Sequence, residues 1–207
     1  TSASSQAMIS IKQVFRALGE YAGFASQEMA NVPSCFAEIE CPAASKVPIN
    51  ASIHANVVSL GHGRQAVAAM QPVITPGSSS SNLPAFYQLL ASEPNTTVFD
   101  LRSNRDFEQG SFDYCPAVNT TRLIHNAVTG EQTQITTVNK TPLPHAQSDE
   151  LTVRIQIGDQ APKTIKVIQF KNWPDHGVIT ADQLRSLRSL MGRELSGNQH
   201  VVTHCRA

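Results

Sequence analysis

Two side chains in this sequence stand where they could do chemistry together. Asp175 lies within Lys171-Asn172-Trp173-Pro174-Asp175-His176-Gly177-Val178, and Cys205 lies within His204-Cys205-Arg206-Ala207, thirty residues further on. A carboxylate on a loop can carry a proton, and a cysteine, once deprotonated, can attack an electrophile. Each has a plain structural alternative: a loop aspartate that caps a helix, and a buried cysteine that acts as a small apolar side chain. Taken singly, each residue favours that alternative. Together, in this order and spacing, they favour a shared site.

The surrounding pattern shows which elements must position them. Thr164-Ile165-Lys166-Val167-Ile168-Gln169-Phe170 alternates with period two and predicts a strand, which Pro174 and Gly177 turn into a loop. His200-Val201-Val202-Thr203 predicts a second short strand that delivers Cys205. Between them Thr180 is a good N-cap, with Asp182 favourable in the first turn. Leu184, Leu187, Leu190, Met191 and Leu195 then predict a helix to about Ser196, stopped by Gly197-Asn198. Leu151 to Ile157 alternates strictly, and Gly158-Asp159 turns it back toward the Thr164 strand.

Further upstream, Leu83–Ala91 predicts a helix with Pro84 in its first turn, and Thr96–Leu101 a short buried strand. Strand-helix-strand order points to an α/β architecture. Residues 47–58 and 65–73 predict a hairpin joined through Gly61-His62-Gly63, and Pro76 to Ser81 a flexible connection. The polar region 103–150 predicts a strand over 133–138 and a loop through Pro142-Leu143-Pro144. Near the start, Met8, Ile11, Phe15, Leu18, Ala22, Ala25 and Met29 fall at helical spacing. Gly19 and Gly23 weaken that helix by about 1 kcal/mol each relative to alanine. No internal repeat and no convincing boundary between domains is present.

Composition excludes several classes of function. Sixteen basic and sixteen acidic residues cancel, so bulk charge does not point to nucleic acid or membrane. No apolar run reaches the roughly 18 residues needed to span a bilayer, and the N-terminal residues lack signal-peptide patterning. The 41% apolar content can build a sizeable core over 207 residues. Four cysteines, at 35, 41, 115 and 205, show neither metal-ligand nor disulfide-framework spacing. A reducing, cytosolic compartment is the simpler expectation.

A loop-borne Trp173-Pro174-Asp175 followed by a strand ending in His204-Cys205 resembles the protein tyrosine phosphatases. Ile49-Asn50-Ala51-Ser52-Ile53 is similar to that family's first-strand motif. Ala68-Ala69-Met70-Gln71-Pro72 sits where the family carries Ala-x-Gln-x-Pro. The resemblance runs from about residue 30 onward. It implies an α/β (α+β) fold with a central twisted mixed sheet flanked by helices, residues 33–207 forming the catalytic domain and residues 1–32 a helical cover. The His-Cys-Arg-Ala sequence, low charge density and Ser/Thr/Gln-rich loops are most similar to secreted effector phosphatases of Gram-negative pathogens, of the Yersinia outer-protein type. That subgroup would imply delivery into a host cytoplasm.

What the resemblance implies chemically is hydrolysis of phosphotyrosine in proteins, with Cys205 as nucleophile and Asp175 as general acid and then base. The backbone amides from Arg206 and Ala207 onward would form an anion nest around phosphate. Trp173 and Pro174 would define the swing of the acid loop, and His204 would orient the Cys205 loop. Phe36 is the candidate to stack on the substrate ring, or else an ordinary core residue. No metal or cofactor is implied, because amides and an arginine would supply the charge stabilisation. The partners implied are phosphotyrosine-containing proteins, met by a monomer. The family's phosphate-loop arginine, six positions after the cysteine, falls beyond Ala207. A phosphatase-like module that binds phosphotyrosine without turnover is therefore the alternative. On the same ground residues 1–207 are expected not to fold alone, their catalytic domain being incomplete at the C-terminus. A cooperative melt of that stretch by itself would overturn this.

Overall fold

The computed structural model describes residues 38–39, 53–59, 65–72, 83–126, 129–172, 180–197 and 199–206. Among them are nine strands: β1 (Glu38–Ile39), β2 (Ile53–Ser59), β3 (Gln65–Ala69), β4 (Thr96–Asp100), β5 (Thr121–His125), β6 (Gln132–Leu143), β7 (Ser148–Ile157), β8 (Lys163–Gln169) and β9 (His200–His204). Three α-helices, α1 (Leu83–Ala91), α2 (Asn104–Glu108) and α3 (Ala181–Ser196), and one short 3-10 helix, Pro144–Ala146, accompany them. The strands form one mixed sheet in the order β1-β2-β3-β9-β4-β8-β7-β6-β5.

The centre of the sheet is parallel. β9 runs parallel to β3 on one side and to β4 on the other, and β4 runs parallel to β8. Parallel strands covered on both faces read as near-continuous apolar runs, and β4, Thr-Thr-Val-Phe-Asp, is buried throughout. Alternation then sorts the side chains. Val98, Val167 and Val202 pack in one core cluster with Phe86 and Leu90 of α1. Their neighbours Phe99, Ile168 and Val201 pack in a second cluster with Leu187, Met191 and Leu195 of α3. Both faces of β9 are therefore covered along its central residues.

α3 begins and ends as its sequence predicts. The Thr180 hydroxyl accepts from the Gln183 N–H at 3.1 Å, and Gln183 Oε1 accepts from the Thr180 N–H at 2.9 Å. These reciprocal bonds satisfy two donors at the helix start. Glu194, buried on the sheet side, accepts from Thr97 at 3.2 Å and from Lys166 at 3.1 Å, tying the last turn to β4 and β8.

The polar region differs from its sequence reading. β6 extends from Gln132 to Leu143, through the expected Pro142 loop, and β7 begins at Ser148 rather than Leu151. Beyond Thr137, whose carbonyl accepts from the Asn119 N–H at 2.8 Å, no described strand pairs with the outer edge of β6. A proline, lacking an N–H, is tolerated on such an edge. β5 and α2 were not expected, being five residues each and too short to show a period. β3 ends at Ala69, short of the expected Val73. The expected helix over residues 6–30, the Val47–Ser52 part of the first strand and the Gly61–Gly63 turn lie outside the described residues. No helix among the described residues is long and apolar enough to cross a membrane.

Because Leu187 is fully buried beneath the sheet, Leu187→Ala is expected to cost about 2–5 kcal/mol in denaturant unfolding. Thr180→Ala, which removes only a cap, should cost about 1 kcal/mol in the same assay.

Candidate active site

Register brings three chain exits to one place. Asp100, the last residue of β4, pairs with His204 of β9 on one side and Gln169 of β8 on the other. The strands continue to hold one another just past their ends: the Leu101 N–H donates to the His204 carbonyl at 2.9 Å, and the Phe170 N–H to the Asp100 carbonyl at 2.9 Å. Cys205 thus leaves β9 on one side of β4, and Lys171, two residues before Trp173 in the sequence, leaves β8 on the other. Two strand spacings separate those exits, roughly 10 Å. Sites in open parallel sheets form outside such carboxyl ends.

The segment after β4 then reaches both exits. Asn104 N–H donates to the Lys171 carbonyl at 2.7 Å, and an antiparallel bridge pairs Ser103 with Asn172. α2 starts on a capping box: Asp106 Oδ2 accepts from the Ser103 N–H at 2.6 Å and from its hydroxyl at 2.9 Å. The other Asp106 oxygen lies 3.8 Å from Arg206 Nη1, which also donates to Gln109. The Arg206 side chain is therefore turned to α2 and its C-cap.

His204 is buried between aromatic rings, edge-on to Phe86 and tilted against Tyr114. Its Nδ1 lies 3.3 Å from the Cys205 carbonyl and its Nε2 2.7 Å from the Tyr114 hydroxyl. A carbonyl can only accept, so Nδ1 carries the proton; in a neutral ring Nε2 is then bare, and Tyr114 must donate to it. Burial, reinforced by Arg102, lowers the His204 pKa to about 4, so the ring is neutral at neutral pH. Burial likewise pushes Tyr114 well above its ordinary value, which keeps the phenol protonated and able to donate. Tyr87 holds Tyr114 from behind, donating to its carbonyl at 2.6 Å.

Behind His204 lies a buried ion pair. Arg102 grips Asp100 through Nη2 to Oδ2 at 2.7 Å and Nε to Oδ1 at 2.8 Å, and its backbone N–H reaches Oδ1 at 3.2 Å. Burial alone would raise the Asp100 carboxyl. The His204 charge, when present, and the Arg102 guanidinium hold it below its ordinary value instead. At neutral pH, where His204 is uncharged, Arg102 supplies that effect.

Cys205 is partly exposed, is not disulfide-bonded, and packs against the α3-side core. His204, Cys205 and Arg206 are thus brought together, with α2 beside them. Phe36, Trp173, Pro174, Asp175 and Ala207 lie outside the described residues. Asp100, Arg102, Asp106 and Tyr114 were missed by sequence reasoning. The Ser103-x-x-Asp106 spacing was a legible capping signal, and opposite charges two residues apart at a buried strand end hinted at the Asp100–Arg102 pair. Nothing local marked Tyr114. Among the described residues no group of three or more His, Cys, Asp or Glu converges as a metal site.

The family model for protein-tyrosine phosphatase matches residues 36–207. The chain belongs to the protein-tyrosine phosphatase family, whose members are phosphoric monoester hydrolases. It is similar in fold to the crystal structure of a Trypanosoma cruzi protein tyrosine phosphatase, with a TM-score of 0.64 and 16% sequence identity over 95% of this chain and 72% of that one. No curated protein matches the sequence.

The His204 environment predicts a pH dependence of stability. The unfolded chain takes up a proton near pH 6.5 and the native ring only near pH 4. Between these values the unfolded state binds more protons, so stability is lost as the pH is lowered from 6.5 to 4, by about 3 kcal/mol at most. His200, whose pKa burial also lowers, adds in the same direction. Asp100, held low, adds its own loss only below its ordinary 3.8. Denaturant unfolding at a series of pH values should show this slope, and His204→Asn should flatten most of it.

Proposed function

We propose that the protein hydrolyses phosphotyrosine in proteins through a phosphocysteine intermediate. The observation that carries this reading is the seat of Cys205, partly exposed at the carboxyl end of a central parallel strand, in a chain of this family. The Cys205 thiolate attacks phosphorus while the bond from phosphorus to the tyrosyl oxygen breaks. Asp175 gives its proton to that oxygen. Water then attacks the phosphocysteine, Asp175 takes the water's proton, the sulfur–phosphorus bond breaks and inorganic phosphate leaves. Backbone N–H groups from Arg206 and Ala207 would receive the phosphate oxygens, and Phe36 and Trp173 would border the aryl ring. Pro174 would shape the acid loop.

Residues 33–207 would make the catalytic domain and residues 1–32 its cover, working as a monomer on phosphotyrosine proteins. Membership of the bacterial effector subgroup is proposed from the His204-Cys205-Arg206-Ala207 sequence, the low charge density and the Ser/Thr/Gln-rich loops.

In the full-length protein, Cys205→Ser is expected to reduce hydrolysis of p-nitrophenyl phosphate and of a phosphotyrosyl peptide to background. Asp175→Asn should lower kcat by roughly 10²–10⁴ with little change in KM. Turnover by Cys205→Ser equal to that of the wild type would sink the reading. Tight binding of the peptide by a wild-type protein that never releases phosphate would support the non-hydrolysing alternative instead.

A further inference from the structure

The charge behind His204 raises a question that its hydrogen bonds do not answer. Asp100 Oδ1 stands 3.7 Å from His204 Nε2, with both side chains fully buried. A bare carboxylate at that distance in a low-dielectric interior would draw a proton onto Nε2. The observed contacts require the opposite polarity. Nδ1 faces the Cys205 carbonyl, so the proton must be there and Nε2 must accept from Tyr114.

Arg102 resolves the conflict in two ways. It fills Asp100: three N–H groups converge on a carboxylate with about four acceptor positions, and the pair is neutral as a unit. It also places the competing donor. Nη1 donates to the Phe112 carbonyl at 2.6 Å, two residues before Tyr114, and the guanidinium lies 5.1 Å from the centroid of the Tyr114 ring and 4.6 Å from that of Phe107. One side chain therefore occupies the carboxylate that would capture the imidazole proton and holds the phenol that replaces it.

We propose that Arg102 is a positioning residue that sets the tautomer of His204, keeping the imidazole proton on Nδ1 and directed at the Cys205 carbonyl. It touches no reacting atom. It acts through His204 on the backbone from which the nucleophile projects, and its link to turnover rests on the phosphatase reading above. A buried ion pair is weak evidence of stabilisation, since apolar replacements of such pairs are often neutral or better. Retention of two full charges beside the nucleophile's neighbour fits a role in proton placement.

The test separates this role from folding by suppression. In the full-length protein, ring ¹⁵N shifts of His204 report which nitrogen carries the proton. The wild type should show Nδ1–H. Arg102→Met uncovers Asp100 and should move the proton to Nε2, with kcat on p-nitrophenyl phosphate reduced on the order of tenfold to hundredfold and KM little changed. Adding Asp100→Leu removes the competitor and should return the proton to Nδ1 and recover most of the lost kcat. If Arg102→Met does not fold, Arg102→Lys carries the test: it keeps the charge, loses the fork, and should give a mixture of tautomers.

Nε2–H in the wild type overturns the inference. So does an unchanged Nδ1–H form in whichever Arg102 variant folds, or a double variant that folds yet stays on Nε2. If no form of the protein hydrolyses p-nitrophenyl phosphate, the phosphatase reading fails, while the ring shifts still decide the role of Arg102.

Discussion

The structure depends on the register of three parallel strands at one residue, Asp100. Its pairing with His204 and with Gln169 sets where β9 and β8 stop relative to β4. Backbone bonds from Leu101 to His204 and from Phe170 to Asp100 extend that register past the strand ends. A slip of one residue would turn every side chain of β9 to the opposite face. Val201 and Val202 would exchange core clusters, and His204 would lose the aromatic pocket formed by Phe86 and Tyr114. The apolar packing on both faces of the sheet is thus what holds Cys205 at its exit. The site inherits its geometry from the core.

Polar groups refine that placement. The segment from Leu101 to Tyr114 threads between the exits of β8 and β9, bonding to Lys171 on one side and reaching His204 and Arg206 on the other. It is organised from inside, by Arg102, rather than from its surface. Lys171 is steadied separately by Asp149 of β7, 2.9 Å from its ammonium group, with Lys140 on the same carboxylate at 3.5 Å. These last pairs are partly exposed and contribute little stability individually. They restrict Lys171, two residues before Trp173 in the sequence.

Much of this was legible in the residues. α1 and α3 stand within the bounds that their apolar spacing and caps predict, and β4, β7, β8 and β9 fall within a few residues of the alternating or apolar runs that mark them. Cys205 was legible only together with Trp173-Pro174-Asp175, whose order and spacing relative to it favour a shared site; alone it favours a packing role. The rest depended on contacts distant in sequence. Tyr114 is 90 residues from the histidine it meets, and no local pattern announces such a pairing. The Asp100–Arg102 pair, at the end of β4, was hinted at by opposite charges two residues apart, but its full burial depends on the neighbouring elements. Pro142 was misread because proline is excluded from central strands but tolerated on an open edge, and strand order is not visible in a single sequence.

The most direct test of Cys205 as nucleophile is to trap the covalent intermediate. The full-length protein would be mixed with p-nitrophenyl phosphate, quenched in acid within the first turnover, digested and examined by mass spectrometry. One phosphoryl group on the peptide containing Cys205, absent from Cys205→Ser, is the predicted result. Release of p-nitrophenol with no phosphoryl group on that peptide at any quench time would contradict the account.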